Sequence, residues 1–311
     1  MLKVSALGFD TSNYTTSAAF FADGVMNSCG KLLPVKPGEI GLRQSDAVFH
    51  HTKQLPEVFA QLGDVSSAKA IGVSTRPRDA EDSYMPCFLV GTGAAQMLAQ
   101  SMNIPLYRFS HQQGHIAAAL YSAGRLDLLA QRFIAFHLSG GTTEAVLVEP
   151  DKDKMFTTAL VASSLDLKAG QVIDRIGVML GLQFPAGKHL DPLACAYNGS
   201  IKVKASMKGA NCSLSGVENK CRSLFEKGAE SSEVAATCMA YVIGSIDAMC
   251  KALLDEHGKE LPVLFSGGVS SNSMLRERMT KKYGAVFAEP RYSADNAAGA
   301  AVLASLCREG L

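Results

Sequence analysis

Histidines four residues apart on a helix share one face about one turn apart, and Ser110-His111-Gln112-Gln113-Gly114-His115 opens a predicted helix with that spacing. Two imidazoles so placed chelate a divalent metal well. In metallopeptidases the same spacing is written HExxH, and the glutamate serves as general base. This chain has Gln112 there, so the hydrolytic base is missing. Two further side chains could join the pair. His137 interrupts an otherwise apolar strand, where a titratable group is costly unless it is hydrogen-bonded or ligates something. Alternation puts it on the same strand face as Ser139. Asp295 stands at a helix start, where it could add an oxygen ligand or simply cap the helix.

Three glycine turns could hold a nucleotide: Ser139-Gly140-Gly141-Thr142-Thr143, Phe184-Pro185-Ala186-Gly187-Lys188 and Phe265-Ser266-Gly267-Gly268-Val269-Ser270-Ser271-Asn272. Glycine lets backbone approach a phosphate or base closely, and exposed N–H groups favour anions. Neither GxxxxGK[ST] nor a well-placed GxGxxG occurs, which argues against P-loop and Rossmann sites. Taken singly, each turn reads first as structural; it is the three together that suit a nucleotide. Basic residues gather at Lys202, Lys204, Lys208, Lys220, Arg222 and Lys227, and again at Arg276, Arg278, Lys281 and Lys282. These are the candidates for nucleic acid, with a solvated face as the alternative. No aromatic residues interleave them for base stacking.

The elements that must position these groups follow from periodicity. Residues 2–9 read as a strand ending in Asp10-Thr11-Ser12, and residues 15–21 as its returning partner. Helical spacing predicts helices over 46–62, 88–101, 170–182, 233–254 and 294–307, with strands over 68–74 and 262–265. A second start appears at residue 132: strand 133–138, the Ser139–Thr143 turn, then strand 144–148. A hydroxyl-rich hairpin near the start of each half is what a duplicated lobe with two phosphate-binding hairpins would look like.

The 311 residues are about twice the ~150 expected per domain, so two domains or two similar lobes are expected. Hydrophobic residues at 47% and charged residues at 19% exclude a disordered, collagenous or coiled-coil chain. Lys plus Arg total 30 against 29 Asp plus Glu, so any RNA must meet a local patch or come with partner subunits. Eight cysteines without a CxxC pair fit reduced thiols, neither a disulfide framework nor a zinc finger. An acidic residue, Asp10, arrives before a signal-peptide core could form, and no apolar run approaches the ~18 residues of a membrane span. A cytoplasmic location without membrane contact is the default expectation.

In order, these pieces resemble the tRNA N6-adenosine threonylcarbamoyltransferase family, the bacterial TsaD and archaeal and eukaryotic Kae-type proteins once called O-sialoglycoprotein endopeptidases. The resemblance rests on Gly8-Phe9-Asp10-Thr11-Ser12, His111 with His115, Ser139-Gly140-Gly141, Gly170-Gln171-Val172-Ile173-Asp174, Leu180-Gly181-Leu182-Gln183-Phe184-Pro185-Ala186-Gly187, Leu214-Ser215-Gly216, the Ser266 to Asn272 turn and Asp295-Asn296. It implies an α/β, two-lobed actin/Hsp70/sugar-kinase (ASKHA) fold with a nucleotide cleft between the lobes. The lobes would span residues 1–130 and 131–311, the last helix being free to pack back on the first. The implied activity is transfer of a threonylcarbamoyl group from an acyl-adenylate to N6 of adenosine in tRNA.

The resemblance also implies site residues. The metal, zinc or iron, would lie on His111, His115, Asp295 and His137, the last at a position where archaeal relatives carry a tyrosine. Ser139, Gly140, Gly141, Asp174, Gly187, Gly268 and Asn272 would bind ATP or threonylcarbamoyl-adenylate, with Ser139 and Asp10 as catalytic residues. Implied partners are tRNA through other proteins and a homo- or hetero-dimer with a related ASKHA chain. Several stretches differ from the family's usual form: Asn13-Tyr14, Thr142, Gln171, the 76–86 loop in place of Gly-Pro-Gly-Leu, and 217–220. They motivate a second reading, a divergent paralogue acting as nucleotide-binding scaffold or regulatory partner of a true transferase. A metallopeptidase is the weakest reading, for want of a glutamate at 112.

Overall fold

A computed structural model describes residues 2–12, 14–35, 42–80, 82–293 and 296–310. The chain divides into two compact units, one made of Met1–Leu129, Pro150–Thr157 and Arg291–Leu311, the other of Ala130–Glu149 and Thr158–Pro290.

Unit 1 carries β1 (Ala6–Asp10), β2 (Thr15–Ala22), β3 (Val25–Leu32), α1 (Gln44–Ala60), β4 (Ala70–Arg76), α2 (Phe88–Met102), β5 (Leu106–Ser110) and α3 (His111–Ser122). Its sheet runs β3-β2-β1-β4-β5. The β1-β2-β3 meander is antiparallel and β4 and β5 are parallel to β1. Alternation splits β2 cleanly: Ala18 and Phe20 join Leu7, Phe9, Val58 and Ala95 in one core, while Ala19 and Phe21 join Ala118, Ala298 and Ala301 in another. The sheet is therefore covered on both faces, which is why β1 reads as an unbroken apolar run.

Unit 2 contributes β6 (Phe133–Leu138), β7 (Thr143–Asp151), β8 (Met155–Ser163), α4 (Ala169–Met179), α5 (Gly187–Cys195), the short hairpin β9 (Ser206–Lys208) and β10 (Asn211–Ser213), α6 (Ser215–Glu226), α7 (Ser231–His257), β11 (Val263–Ser266), α8 (Ser273–Tyr283) and β12 (Val286–Phe287). Its sheet runs β12-β11-β6-β7-β8, with β7 antiparallel and β11 parallel to β6. Read outward from the first strand of each unit, this is the strand order of unit 1 repeated, so the duplicated lobe seen in the two hairpins is present in the topology. Stacked rings of Phe136, Phe265 and Phe287, at 4.8 and 5.0 Å between centroids, cross the β6-β11-β12 strands.

The last helix, α9 (Ala298–Glu309), belongs to unit 1. It lies directly on the sheet backbone. A Cβ on Gly8 would strike the carbonyl oxygen of Ala297, one on Gly72 that of Ala300, and one on Gly299 that of Gly114. Only glycine lets these three backbone pairs meet.

The helix expected from 294 begins at Ala298, and Ala294 and Asp295 lie outside the described residues. One expectation is corrected. The α7 helix is long and apolar enough to cross a membrane by length and composition, contrary to the reading that no such run exists. Of its most apolar stretch, 72% is buried inside the protein, the signature of a core helix. All eight cysteines are free thiols.

Candidate active site

In unit 1 the end of β5 hands directly to α3, and the sequence fixes that junction. Ser110 accepts from the Gln113 backbone N–H at 3.2 Å, and Gln113 Oε1 accepts from the Ser110 N–H at 2.9 Å, a reciprocal cap. Gln113 then donates through Nε2 to the carbonyls of Lys154 and Phe156 at 3.2 and 2.9 Å. The first turn is thus locked, and with it the histidines. The His111 and His115 rings lie edge to face with centroids 4.2 Å apart.

Asp10, at the end of β1 and 1% exposed, accepts from His111 Nδ1 at 2.8 Å. Burial alone would raise the Asp10 carboxyl, but the imidazole's charge, its hydrogen bond and the Ser12 contact outweigh it and hold the group below the usual carboxylate range. A carboxylate on Nδ1 is the kind of partner that orients metal-binding histidines. The imidazole pair and its buried carboxylate therefore suit zinc or iron by donor type. Among the described residues no group of three His, Cys, Asp or Glu is disposed to hold a metal. Asp295 lies outside the described residues. Asp10 faces His111 as an orienting carboxylate, a role that its catalytic assignment from sequence did not specify.

In unit 2 a cavity of about 440 Å³ is lined by Gly140, Gly170, Ile173, Asp174, Pro185, Gly187, Lys188, Asp191, Met239, Gly268, Val269, Ser271 and Asn272. All three glycine turns reach it, and its volume falls in the range of small-molecule sites. Five expected nucleotide-binding residues, Gly140, Asp174, Gly187, Gly268 and Asn272, meet on its wall. Ser139 and Gly141 belong to the adjoining turn.

Several of these residues also build the walls. Asp174 Oδ1 accepts from Ala186 N at 2.8 Å, tying the α4 helix to the loop before α5. Asn272 Oδ1 caps α8 by accepting from Leu275 N at 2.9 Å. Ser139 Oγ accepts from the N–H groups of Gly141 and Thr142 at 3.3 and 3.0 Å. Its oxygen is thus committed to the turn while its proton can still be donated, so Ser139 suits a hydrogen-bond donor to an oxyanion better than a nucleophile. The first N–H groups of α4 are taken by Thr143 Oγ1 and the Ser139 carbonyl, at 2.8 and 3.2 Å. Gln171 Oε1 accepts from the Lys168 N–H at 3.0 Å. An amide oxygen there does what a glutamate would do, so that departure leaves the helix start intact.

Asp191 was missed by sequence reasoning. It accepts from the backbone and hydroxyl of Ser273 at 3.0 and 3.1 Å and brings α5 against α8 at the cavity wall. Its only sequence signal is its place one turn after Gly187. His137 lies on β6 of unit 2, with Nδ1 3.1 Å from Ser266 Oγ.

Solved structures of other proteins share the fold. HypF of T. kodakarensis superposes with a TM-score of 0.59 at 13% identity, covering 99% of this chain and 49% of that one. Component A of (R)-2-hydroxyglutaryl-CoA dehydratase from Acidaminococcus fermentans gives 0.56 at 14% identity and 99% of each chain. A ROK family glucokinase from Streptomyces griseus gives 0.54 at 12% identity, covering 97% and 99%. The protein therefore has the actin/Hsp70/sugar-kinase fold.

Residues 48–302 match the TsaD model, tRNA N6-adenosine threonylcarbamoyltransferase, and the chain belongs to that family of transferases. The protein of that name from Staphylothermus marinus is 29% identical over 291 residues, covering 88% of this chain and 80% of the relative. The one from Chlorobium chlorochromatii is 26% identical over 336 residues, covering 96% and 91%. The chain also matches proteins named as probable bifunctional tRNA threonylcarbamoyladenosine biosynthesis proteins, such as that of Methanothermobacter thermautotrophicus at 26% identity, but spans only about half (53%) of its length.

Proposed function

We propose that this chain transfers a threonylcarbamoyl group from an acyl-adenylate to N6 of an adenosine in tRNA. The observation that carries the reading is the unit 2 cavity, in which three glycine turns and the carboxylates of Asp174 and Asp191 converge in a chain of the TsaD family. A nucleoside needs acceptors for its hydroxyls and close backbone approach at its phosphate, and the wall offers both. Asp174, Gly187, Gly268 and Asn272 would hold the nucleoside, while the Ser139-Gly140-Gly141 turn would face the phosphate and acyl oxygens.

In the reaction the N6 amine forms a C–N bond to the carbamoyl carbon, the bond from that carbon to the adenylate phosphate oxygen breaks, and AMP and the amine proton leave. Donors aimed at the developing oxyanion lower such a barrier by preorganisation, and the Ser139 hydroxyl is the side-chain donor in the turn. A divalent ion, zinc or iron, on His111 and His115 with Asp295 would supply Lewis-acid charge stabilisation. Asp10 holds the His111 ring for that ligation.

Calorimetric titration of ATP, into metal-loaded and metal-stripped protein, tests the cavity and the metal together. Metal-dependent binding weakened by Asp295→Ala is expected, followed by label transfer from threonylcarbamoyl-adenylate to tRNA. Absence of nucleotide binding in every form would overturn the reading.

A further inference from the structure

Of the ten basic residues singled out in the sequence, the structure sorts one group away. Arg278 and Lys282 both pair with Asp247 at 2.6 Å, Arg276 stacks 4.7 Å above the Phe287 ring, and Arg222 pairs with Glu218 at 3.2 Å. Arg278 and Lys282 brace α8 on α7, Arg276 braces α8 on β12, and Arg222 pairs within α6. Lys202, Lys204, Lys208 and Lys220 take part in no ion pair among the described residues.

Those four share one surface. From 201 to 208 exposure alternates strictly, with Ile201, Val203, Ala205 and Met207 half-buried and Lys202, Lys204, Ser206 and Lys208 exposed. The inward side is anchored on α7, where Val203 packs so closely that a Cβ on Gly244 would lie 2.6 Å from Val203 Cγ1. Tyr241, one helical turn from Gly244, donates to the Lys202 carbonyl at 3.4 Å, and Lys220 Nζ sits 5.0 Å from the centre of its ring. Lys220 is thereby drawn to the same strip. No Asp or Glu occurs between residues 192 and 217. The result is a line of cations on a rigid support, in a chain whose overall charge is +1.

We propose that this strip, carried by Lys202, Lys204, Lys208 and Lys220, is a docking surface for the phosphate backbone of RNA. The inference rests on the transferase reading above, which requires an RNA acceptor, and adds where that acceptor is held. A line of lysines, three of them in the carboxylate-free stretch 192–217, suits a linear polyanion, because phosphate contacts position the nucleic acid without reading its bases. The lack of interleaved aromatics fits the same role. Within the strip the apolar side chains of Ile201, Val203 and Met207 are half-buried and the lysines exposed, so it presents charge rather than an apolar face of the kind that enters a membrane.

The test is fluorescence anisotropy of the full chain with an unmodified tRNA transcript over a salt series. It compares wild type with a variant combining Lys202→Ala, Lys204→Ala, Lys208→Ala and Lys220→Ala. Each phosphate contact adds about 0.7–0.9 to the slope of log K against log salt, so the variant's slope should fall by about 3. Its affinity at low salt should fall by more than about tenfold, with ATP binding unchanged as the control for folding. Substituting Arg276 should leave the slope alone. A variant that binds tRNA as wild type does would overturn the proposal, as would wild-type binding to polyglutamate or phosphatidylserine vesicles but not to tRNA. The two readings fail separately: an inert cavity with intact, lysine-dependent RNA binding sinks the transferase reading and spares the strip.

Discussion

Asp174 does two jobs at once, and substituting it should expose both. Its carboxylate faces the cavity and fixes the loop at Ala186, so Asp174→Ala should weaken ATP binding by tenfold or more in calorimetry while thermal stability drops only modestly. Asp247 is the purely structural contrast. Burial alone would raise its carboxyl, but Lys282, Tyr283 and Arg278 outweigh that and hold it below the usual carboxylate range. A carboxylate whose folded pKa is depressed contributes stability above its unfolded pKa and loses it as pH falls through the folded one. Asp247→Asn should therefore destabilise by about 1–3 kcal/mol at neutral pH, because the two cations are left near an amide but are half-exposed and can re-solvate. The difference from wild type should shrink in urea titrations below about pH 4. Neither role was legible from residue type: Asp174 was found by motif, while Asp247 sits in an apolar helix whose partners come from α8.

At the scale of elements, glycine decides which surfaces touch. Gly299→Ala would drive a methyl into the Gly114 carbonyl and lift α9 from α3, costing about 2–3 kcal/mol by overpacking and lowering the melting temperature. Gly93→Ala, on the exposed face of α2 with open space around it, should instead stabilise by about 0.5–1 kcal/mol through helix propensity. Gly170→Ala separates packing from binding. A Cβ there lies 2.7 Å from Gly140 N and Cα, so it would displace the hairpin at the cavity and should reduce ATP affinity more than stability. The helices 46–62, 88–101 and 233–254 were readable because their apolar residues recur at helical period over three or more turns. The β3 strand was not, because it is a mostly exposed edge strand in which apolar Val25 and Leu32 face solvent and no alternation marks a buried face. The short β5 and the α5 and α8 helices likewise carry too little periodic apolar sequence to be read from it.

For the whole molecule, chain connectivity makes a prediction that neither lobe makes alone. Because α9 completes unit 1 from the far end of the sequence, a chain stopped after Pro290 should lose its buried alanine-rich layer, expose the Ala19–Phe21 face and aggregate on size exclusion. The sequence by itself determined the doubled plan, the strand–turn–strand start of each half, the histidine pair, the three glycine turns and the family, since these depend on local period, turn chemistry and ordered motifs. Which groups work together was decided only by tertiary structure. Asp10 meets His111 across 101 residues, Asp191 meets Ser273 across 82, and among the basic residues Arg278 and Lys282 brace α8 on α7 while Lys202, Lys204, Lys208 and Lys220 form a strip without ion pairs among the described residues. The physical reason is that hydrogen bonds, ion pairs and cavity walls are made between segments brought close by burial of apolar surface, and sequence separation carries no record of those distances.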